Sequence, residues 1–204
     1  LKSLKIRAIT GRLIIDSSIY EKVQAPGSWA WEDLGSYYGA TPSGISVFDN
    51  VFEIHLKTPE MTNQPAQIVT TIPEIPGLEL QSEVLSSDTN SDQSYVFGNP
   101  EDSKRIIRGR IPKGKSDYSV KASVPDPAVV LSFQFRTKLR KSGIEILGST
   151  GYEKAVANYS VLNETFSPPL SEIIRQTNYE SVNLFAEHLL KHLAWKKTGL
   201  GTNK

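Results

Sequence analysis

The sequence predicts an α+β fold, in which antiparallel β-rich segments come first and helices follow. Two observations carry this expectation. Apolar and polar residues alternate in the first half, most clearly over residues 51–56, and this is the period of a half-buried strand. Apolar residues recur at helical spacing after Asp126 and again near the C-terminus. No segment repeats at a fixed period, which excludes a solenoid or a propeller.

Composition narrows the class of protein. The 204 residues carry 23 Lys and Arg against 22 Asp and Glu, so no global field favours nucleic acid or an anionic membrane as a partner. The longest apolar run, residues 128–131, is too short to form a transmembrane segment. The absence of cysteine excludes disulfides, thiolate metal ligands and cysteine nucleophiles.

The N-terminal part is typical of short strands around an aromatic segment. Residues 4–8 alternate in polarity, residues 13–15 follow a glycine turn, and residues 51–56 alternate again. Between them, residues 29–38 hold two of the three Trp and two of the eight Tyr of the chain. Gly and Pro interrupt this aromatic segment too often for a long helix.

Residues 60–115 are predicted to form a small β subdomain nested in the first, with a proline-rich entry and one short strand at residues 68–72. Residues 79–103 contain six acids and no base, and residues 104–115 contain six bases and no acid. One interpretation of the basic block is a polyanion site, and the other is a strand whose charges pair with an adjacent acidic strand. Pairing is favoured because the local charges cancel.

A helix is predicted to begin at Asp126 and Pro127, since an acid suits the N-cap and proline suits the first helical position. It is expected to end at Ser142 and Gly143, after a basic last turn that suits the helix dipole. A strand is predicted to follow at residues 144–147.

Two further helices are predicted near the C-terminus. Residues 167–169, Ser-Pro-Pro, open a short helix, and a second one is expected from about Asn178 to about Trp195. The predicted core face of the second helix consists of five apolar side chains: Val182, Phe185, Ala186, Leu189 and Leu193.

His188 and His192 lie one helical turn apart, a spacing that suits zinc chelation. The zinc-peptidase pattern needs a Glu directly after the first His, whereas Glu187 precedes it. The sequence has one other histidine, His55, and a catalytic zinc normally takes three protein ligands. A solvated helix face is therefore favoured, and no metal or cofactor is predicted.

Two triplets match short motifs of the serine enzymes that penicillin inhibits: Lys-Thr-Gly at residues 197–199 and Ser-Val-Asn at residues 181–183. If the intervening helix is continuous, Lys197 lies ~20 Å from Ser181, too far to line the same pocket. Lys-Thr-Gly is therefore interpreted as a chance match at a helix end. Spacing alone favours Ser181 and Asn183 as caps of their helix.

Longer segments favour a functional interpretation of Ser181 and Asn183. Residues 167–174 and 178–190 closely resemble the D-alanyl-D-alanine carboxypeptidase/endopeptidase family, the class C low-molecular-mass penicillin-binding proteins. Residues 29–40 are similar to the Trp-rich insertion motif of that family, and residues 120–128 to the stretch before its insertion-domain helix. The matches come in the order of the family and cover nearly the whole chain.

The resemblance implies a domain organisation. Residues 1–59 and 116–165 would be insertion domain two, and residues 60–115 the nested β domain three. Residues 166–204 would be a helical piece of the penicillin-recognising α/β domain. Both ends of the chain are expected to be cut, so that it is part of a longer protein.

The resemblance also implies roles for four residues. Ser181 matches the serine that relays protons between the catalytic lysine and the leaving amine, and Asn183 matches the asparagine that donates to the penultimate amide carbonyl of the substrate. Asp33 and Tyr38 match positions near the substrate side chain, with Asp33 as partner of the free ammonium of diaminopimelate. A helix cap or a turn cap is the alternative role for Asp33.

The Ser-x-x-Lys motif of the family is missing, because no lysine in the chain follows a serine by three residues. The nucleophile is expected upstream of Leu1 and the functional Lys-Thr-Gly beyond Lys204, so the 204 residues alone should be inactive. The parent would be a periplasmic or extracytoplasmic serine peptidase acting on peptidoglycan stem peptides and acylated by β-lactams. The alternative is a non-catalytic accessory module that binds the cell wall or a partner.

Overall fold

The computed structural model describes residues 5–22, 25–156 and 159–203. The chain divides into two compact units. The first unit comprises Leu1–Lys22, Ser43–Ile45 and Leu131–Lys204, and the second comprises Val23–Pro42 and Ser46–Val130. Ten strands and three α-helices lie in the described residues, and they confirm the predicted α+β class.

The strands in chain order are β1 (Ala8–Ile9), β2 (Leu13–Ile14), β3 (Val51–Lys57), β4 (Gln67–Ile72), β5 (Glu79–Ser87), β6 (Gln93–Phe97), β7 (Lys104–Pro112), β8 (Tyr118–Ser123), β9 (Glu145–Ile146) and β10 (Thr150–Gly151). The helices are α1 (Pro127–Lys141), α2 (Leu170–Tyr179) and α3 (Asn183–Thr198). Strands are present at the predicted residues 13–15 and 51–56, with small shifts at their ends. The strand predicted over residues 4–8 is wrong in extent, because β1 shares only Ala8 with that range. Leu4, where the first strand was predicted to begin, lies outside the described residues.

Two three-stranded sheets form the second unit. The sheet β4-β3-β8 is antiparallel throughout, whereas in β5-β7-β6 the pair β5–β7 is parallel and β6–β7 is antiparallel. One apolar core serves both sheets, and it includes Ile54 on β3, Val84 on β5 and Ile107 on β7, each with no exposed surface. The pair β5–β7 is parallel because the chain reverses twice, once into β6 and once out of it.

The acidic and basic blocks lie on these neighbouring strands. In the β5–β7 register, Glu79 is opposite Lys104 and Glu83 is opposite Arg108. The Nε atom of Arg108 donates to Oε2 of Glu83 at 2.7 Å. The predicted pairing of the two blocks is confirmed.

Helix α1 begins and ends as its sequence predicts. The Oδ1 atom of Asp126 accepts hydrogen bonds from the backbone N–H groups of Ala128 (2.8 Å) and Val129 (3.2 Å), as an N-cap side chain does. Gly143 follows the last turn with φ +76°, the left-handed conformation that commonly ends a helix.

The first unit contains two short parallel pairs, β1–β9 and β2–β10, together with α2 and α3. The predicted start of the last helix is wrong, because Asn178 lies in the final turn of α2 and α3 begins at Asn183. The predicted core face of α3 is also wrong in part. Leu184 and Lys191 are the buried residues of α3, whereas Leu193 is 65% exposed.

Candidate functional site

The Ser-Val-Asn triplet lies at the break between α2 and α3. Ser181 has φ +54°, a left-handed conformation that residues other than glycine adopt uncommonly. The N–H of Val182 donates to the carbonyl oxygen of Thr177 at 3.2 Å, which closes the end of α2. The chain then enters α3 at Asn183, and both Ser181 and Asn183 are exposed.

Capping does not account for the Ser-Val-Asn triplet. The N-cap of α3 is Val182, and no side chain forms a capping hydrogen bond there. Ser181 precedes the N-cap, and Asn183 is the first helical residue. The expectation that these two side chains cap their helix is therefore wrong, because the N-cap position falls on Val182, directly after the left-handed turn at Ser181.

Buried contacts hold α3 to the segment at residues 19–21. The side chain of Lys191 is fully buried, and its Nζ atom lies 3.0 Å from Oε1 of Glu21. The same carboxylate oxygen accepts the backbone N–H of Asn203 at 2.8 Å. The hydroxyl of Tyr20 donates to the carbonyl oxygen of His188 at 3.3 Å. These contacts fix the axis of the helix whose first residue is Asn183.

The histidine pair on α3 is split between two environments. Burial, then the positive charge of Lys191 and the charge of His192, lower the pKa of His188 to about 4. His192 is exposed, with its ring centroid 5.1 Å from that of Trp195. Both histidines were expected on a solvent-exposed helix face, and this prediction is correct for His192. It is wrong for His188, whose ring packs against that of Tyr20 at 5.6 Å between centroids. Within the described ranges, no cluster of three or more His, Cys, Asp or Glu side chains is arranged to hold a metal.

The Lys-Thr-Gly triplet ends α3. Thr198 is the last helical residue, and Gly199 follows with φ +82° as a left-handed C-cap. The interpretation of this triplet as a helix end is confirmed.

Asp33 and Tyr38 lie close together on two short 3-10 helices, Trp31–Asp33 and Tyr37–Gly39. Burial raises the pKa of the Tyr38 hydroxyl, and the charge of Asp33 and its hydrogen bond with that hydroxyl raise it further, while a bond with Ser36 lowers it. Neither 3-10 helix has a side-chain capping hydrogen bond at its N-terminus, so Asp33 is not the N-terminal cap of either helix.

Close backbone packing fixes this aromatic segment. A Cβ atom on Gly35 would lie 2.2 Å from the carbonyl oxygen of Val96, so only glycine allows the segment to approach β6 this closely. On its other side, the N–H of Ser123 donates to the carbonyl oxygen of Gly35 at 2.9 Å. The structure thus brings Asp33 and Tyr38 together in the second unit and Ser181 and Asn183 together in the first.

Sequence reasoning missed Lys191 and Glu21. A lysine inside an apolar helical pattern is ordinarily assigned to the solvent side. The sequence contains one indication that Lys191 is buried. It lies seven positions after Leu184 and therefore on the same face of the helix. A partner 170 residues away in the chain could not be identified from that spacing.

The chain thus combines an α+β fold with a Ser-x-Asn triplet displayed before a helix, and it carries a fixed aromatic segment on a separate unit. The particular family follows from comparison with known proteins. Residues 1–204 match the model of the D-Ala-D-Ala carboxypeptidase 3 (S13) family, and the chain belongs to that family.

Two curated relatives illustrate the match. D-alanyl-D-alanine carboxypeptidase DacB of Haemophilus influenzae is 21% identical over 198 residues, covering 96% of this chain and 41% of that protein. Penicillin-sensitive carboxypeptidase A of Dictyostelium discoideum is 27% identical over 207 residues, covering 89% of this chain and 37% of that protein. The chain therefore spans about two fifths of the length of these relatives.

Solved structures show the same fold. The crystal structure of penicillin binding protein 4 (dacB) from Haemophilus influenzae matches with a TM-score of 0.78 at 19% identity, covering 98% of this chain and 44% of that chain. The same protein complexed with a novel β-lactam matches with a TM-score of 0.64 at 18% identity, covering 96% of this chain and 41% of that chain. Among the described residues of this chain, no helix has the length and apolar character needed to cross a bilayer.

Proposed function

We propose that the 204 residues are part of a serine-type D-Ala-D-Ala carboxypeptidase/endopeptidase that hydrolyses peptidoglycan stem peptides through an acyl-enzyme. Membership of the S13 family supports a carboxypeptidase function. The single observation that carries the proposal is the exposed pair of Ser181 and Asn183 at the left-handed break before α3. Both side chains lie on the surface rather than in a core, and neither forms a capping hydrogen bond at the start of α3, as expected of positions that line a cleft.

The proposed chemistry divides between this chain and the rest of the parent. A serine of a Ser-x-x-Lys motif outside the 204 residues attacks the carbonyl of the scissile bond after its lysine takes the hydroxyl proton. The amine of D-alanine leaves with a proton that Ser181 relays from that lysine. Water then attacks the ester, which releases the shortened peptide and restores the serine. β-Lactams acylate the same serine.

Asn183 and the second-unit pair have binding roles in this proposal. The side-chain amide of Asn183 donates a hydrogen bond to the penultimate carbonyl of the substrate. Asp33 offers a carboxylate to the free ammonium of a diaminopimelate side chain, and Tyr38 borders that position. The hydrogen bond and charge that link Asp33 to Tyr38 support their joint assignment.

The domain assignment belongs to the same proposal. Residues 1–59 and 116–165 form insertion domain two, residues 60–115 the nested β domain three, and residues 166–204 a part of the penicillin-recognising domain. An extracytoplasmic location, the periplasm in particular, follows from a substrate that lies in the cell wall.

Labelling with a fluorescent penicillin tests the proposed function. The full-length parent should form a covalent adduct at the serine of its Ser-x-x-Lys motif, and excess unlabelled penicillin should prevent it. The 204-residue chain should form none, because it lacks the nucleophile and its base. An adduct on the 204-residue chain, or no adduct on the folded parent, contradicts the proposal.

The competing function, a non-catalytic accessory module, is tested on the parent reading frame. Ser-x-x-Lys before residue 1 and a second Lys-Thr-Gly after residue 204 support the enzyme. The absence of both supports the accessory module.

A further inference from the structure

The second unit displays a group of aromatic side chains that the proposed chemistry does not use in full. We call it the aromatic face, and it consists of five residues: Trp31, Tyr37, Tyr38, Tyr95 and Phe97. Trp31 is 64% exposed, Tyr95 58%, Tyr37 54% and Tyr38 37%. Exposed apolar side chains that are grouped rather than scattered mark interaction sites.

The rings form two contacting pairs, and Tyr95, on the same strand as Phe97, lies close enough to Tyr38 to influence its pKa. The ring centroid of Trp31 lies 5.7 Å from that of Phe97. Tyr37 and Tyr38 meet edge to face at 5.2 Å. Tyr95 and Phe97 are two residues apart on β6 and therefore project from the same side of the sheet, away from the buried Val96 between them.

Tight backbone packing holds the two parts of the aromatic face together. Gly35 packs against the backbone of β6 so closely that no Cβ fits, which locks the segment carrying Trp31 and Tyr38 to the strand carrying Tyr95 and Phe97. A pre-organised platform loses little conformational entropy when a ligand binds.

Polar groups are interleaved with the rings, and their charges are balanced. Glu83, Arg108 and Tyr95 lie opposite one another across the three strands. Arg108 donates to Glu83 at 2.7 Å, and its guanidinium carbon lies 5.7 Å from the centre of the Phe97 ring. Gln81 also donates to Glu83, at 2.8 Å. Because the cation is paired and Asp33 adds a carboxylate nearby, the aromatic face is unsuited to phosphates or other polyanions.

We propose that the aromatic face binds an uncharged carbohydrate chain, the glycan strand that carries the stem peptides. Pyranose rings offer flat C–H faces that stack on aromatic side chains, and equatorial hydroxyl and acetamido groups that hydrogen-bond at the rim to Arg108, Glu83 and Gln81. A neutral, amphipathic polymer therefore complements a surface of rings separated by neutralised polar groups. The identity of the natural polymer rests on the proposed function, whereas the sugar chemistry rests on the aromatic face alone.

Titration of the 204-residue chain with chitohexaose, an uncharged hexamer of N-acetylglucosamine, tests this inference. Binding is followed by calorimetry and by amide shifts in NMR spectra. We expect saturable binding, with the shifts concentrated on residues 31–38 and 93–97. Trp31→Ala and Tyr95→Ala should each weaken binding at least about tenfold, as truncation of a central aromatic anchor does. Trp31→Phe should restore part of the loss.

Matched controls distinguish specific sugar binding from non-specific binding to an exposed aromatic ring or from polyanion binding. Tyr179→Ala removes a tyrosine that is 82% exposed in the first unit and should leave binding unchanged. Absence of binding, equal loss in the Tyr179 variant, or displacement of the sugar by heparin or single-stranded DNA would overturn the inference. A parent that is acylated by penicillin but does not bind chitohexaose contradicts this inference alone. A parent that binds chitohexaose but is not acylated contradicts only the proposed function.

Discussion

The Nζ atom of Lys191 lies 3.0 Å from Oε1 of Glu21, and the lysine side chain has no exposed surface. Taking an ammonium group out of water is unfavourable unless a partner compensates it, so the ion pair must form wherever α3 packs in this position. Asn183 begins the same helix. The pair therefore determines where the Ser-Val-Asn triplet stands relative to residues 19–21.

Removing the ammonium group should destabilise the first unit. Lys191→Met leaves the carboxylate of Glu21 without its cation, and we expect the free energy of unfolding to fall by about 2–4 kcal/mol. Urea denaturation of the 204-residue chain measures it. Glu21→Gln combined with Lys191→Met should recover part of the loss. Lys197→Met, at an exposed position of α3, is the control, and an equal loss there contradicts a special role for the buried pair.

Stability should fall with acid because of His188. Its pKa is lowered to about 4 in the folded chain by burial first and by Lys191 next. In the unfolded chain the same imidazole has its ordinary pKa of ~6.5. Between pH ~6.5 and pH ~4 the unfolded chain therefore binds more protons than the folded chain, and a fall in pH favours unfolding. Protonation of this histidine should lower the free energy of unfolding by about 3 kcal/mol at pH 4, and it should have no effect above pH ~7.

The variant His188→Gln should flatten this part of the stability profile, measured as the urea midpoint from pH 7 to pH 4. His192→Gln should keep most of the slope, because burial is the leading cause of the shift at His188. Identical profiles for wild type and His188→Gln would show that this imidazole is not buried neutral.

A methyl group at position 35 should disturb the aromatic segment. The Cβ of Gly35→Ala would lie 2.2 Å from the backbone oxygen of Val96, and backbone cannot move aside as a side chain can. We expect a loss of at least about 1–3 kcal/mol in unfolding free energy. Gly27→Ala is the matched control, because nothing lies within 4 Å of its Cβ. If both variants unfold at the same urea concentration, the close packing is absent.

Removing the charge of Asp33 should lower the pKa of Tyr38. The carboxylate raises this pKa both through its charge and through its hydrogen bond, although burial is the larger cause. Titration of the 204-residue chain carrying ¹³C-labelled tyrosine follows the hydroxyl in Asp33→Asn, with Tyr38→Phe to assign the signal. A pKa of Tyr38 that does not change would mean that the two side chains are apart in solution.

The local signals in the sequence were sufficient for much of the fold. Alternation predicted β3, and the Asp126-Pro127 pair predicted the start of α1, because these features depend on residues close in the chain. The charge blocks predicted that β5 and β7 are neighbours, since opposite charges on paired strands attract. Strand β6 was not predicted, because its five residues lie in a stretch rich in Ser, Asp and Asn that is typical of turns.

The candidate site was predicted less completely, because its positions depend on backbone conformation and on distant contacts. The left-handed turn at Ser181 moved the start of α3, and periodicity does not report a single residue with positive φ. The burial of Lys191 depends on Glu21, at the opposite end of the chain. The choice of Ser181, Asn183, Asp33 and Tyr38 came from the family resemblance, and their roles remain predictions.

The acylation rate of the full-length protein by a fluorescent penicillin tests the central claim most directly, with wild type compared to Asn183→Ala. If the Asn183 amide aligns the substrate in the cleft, the second-order rate constant should fall by ~10²–10³, as loss of one aligned donor does. Asn178→Ala, an exposed asparagine in the last turn of α2, is the control and should acylate at the wild-type rate. An unchanged rate in Asn183→Ala would contradict the assignment of residues 181–183 to the active site.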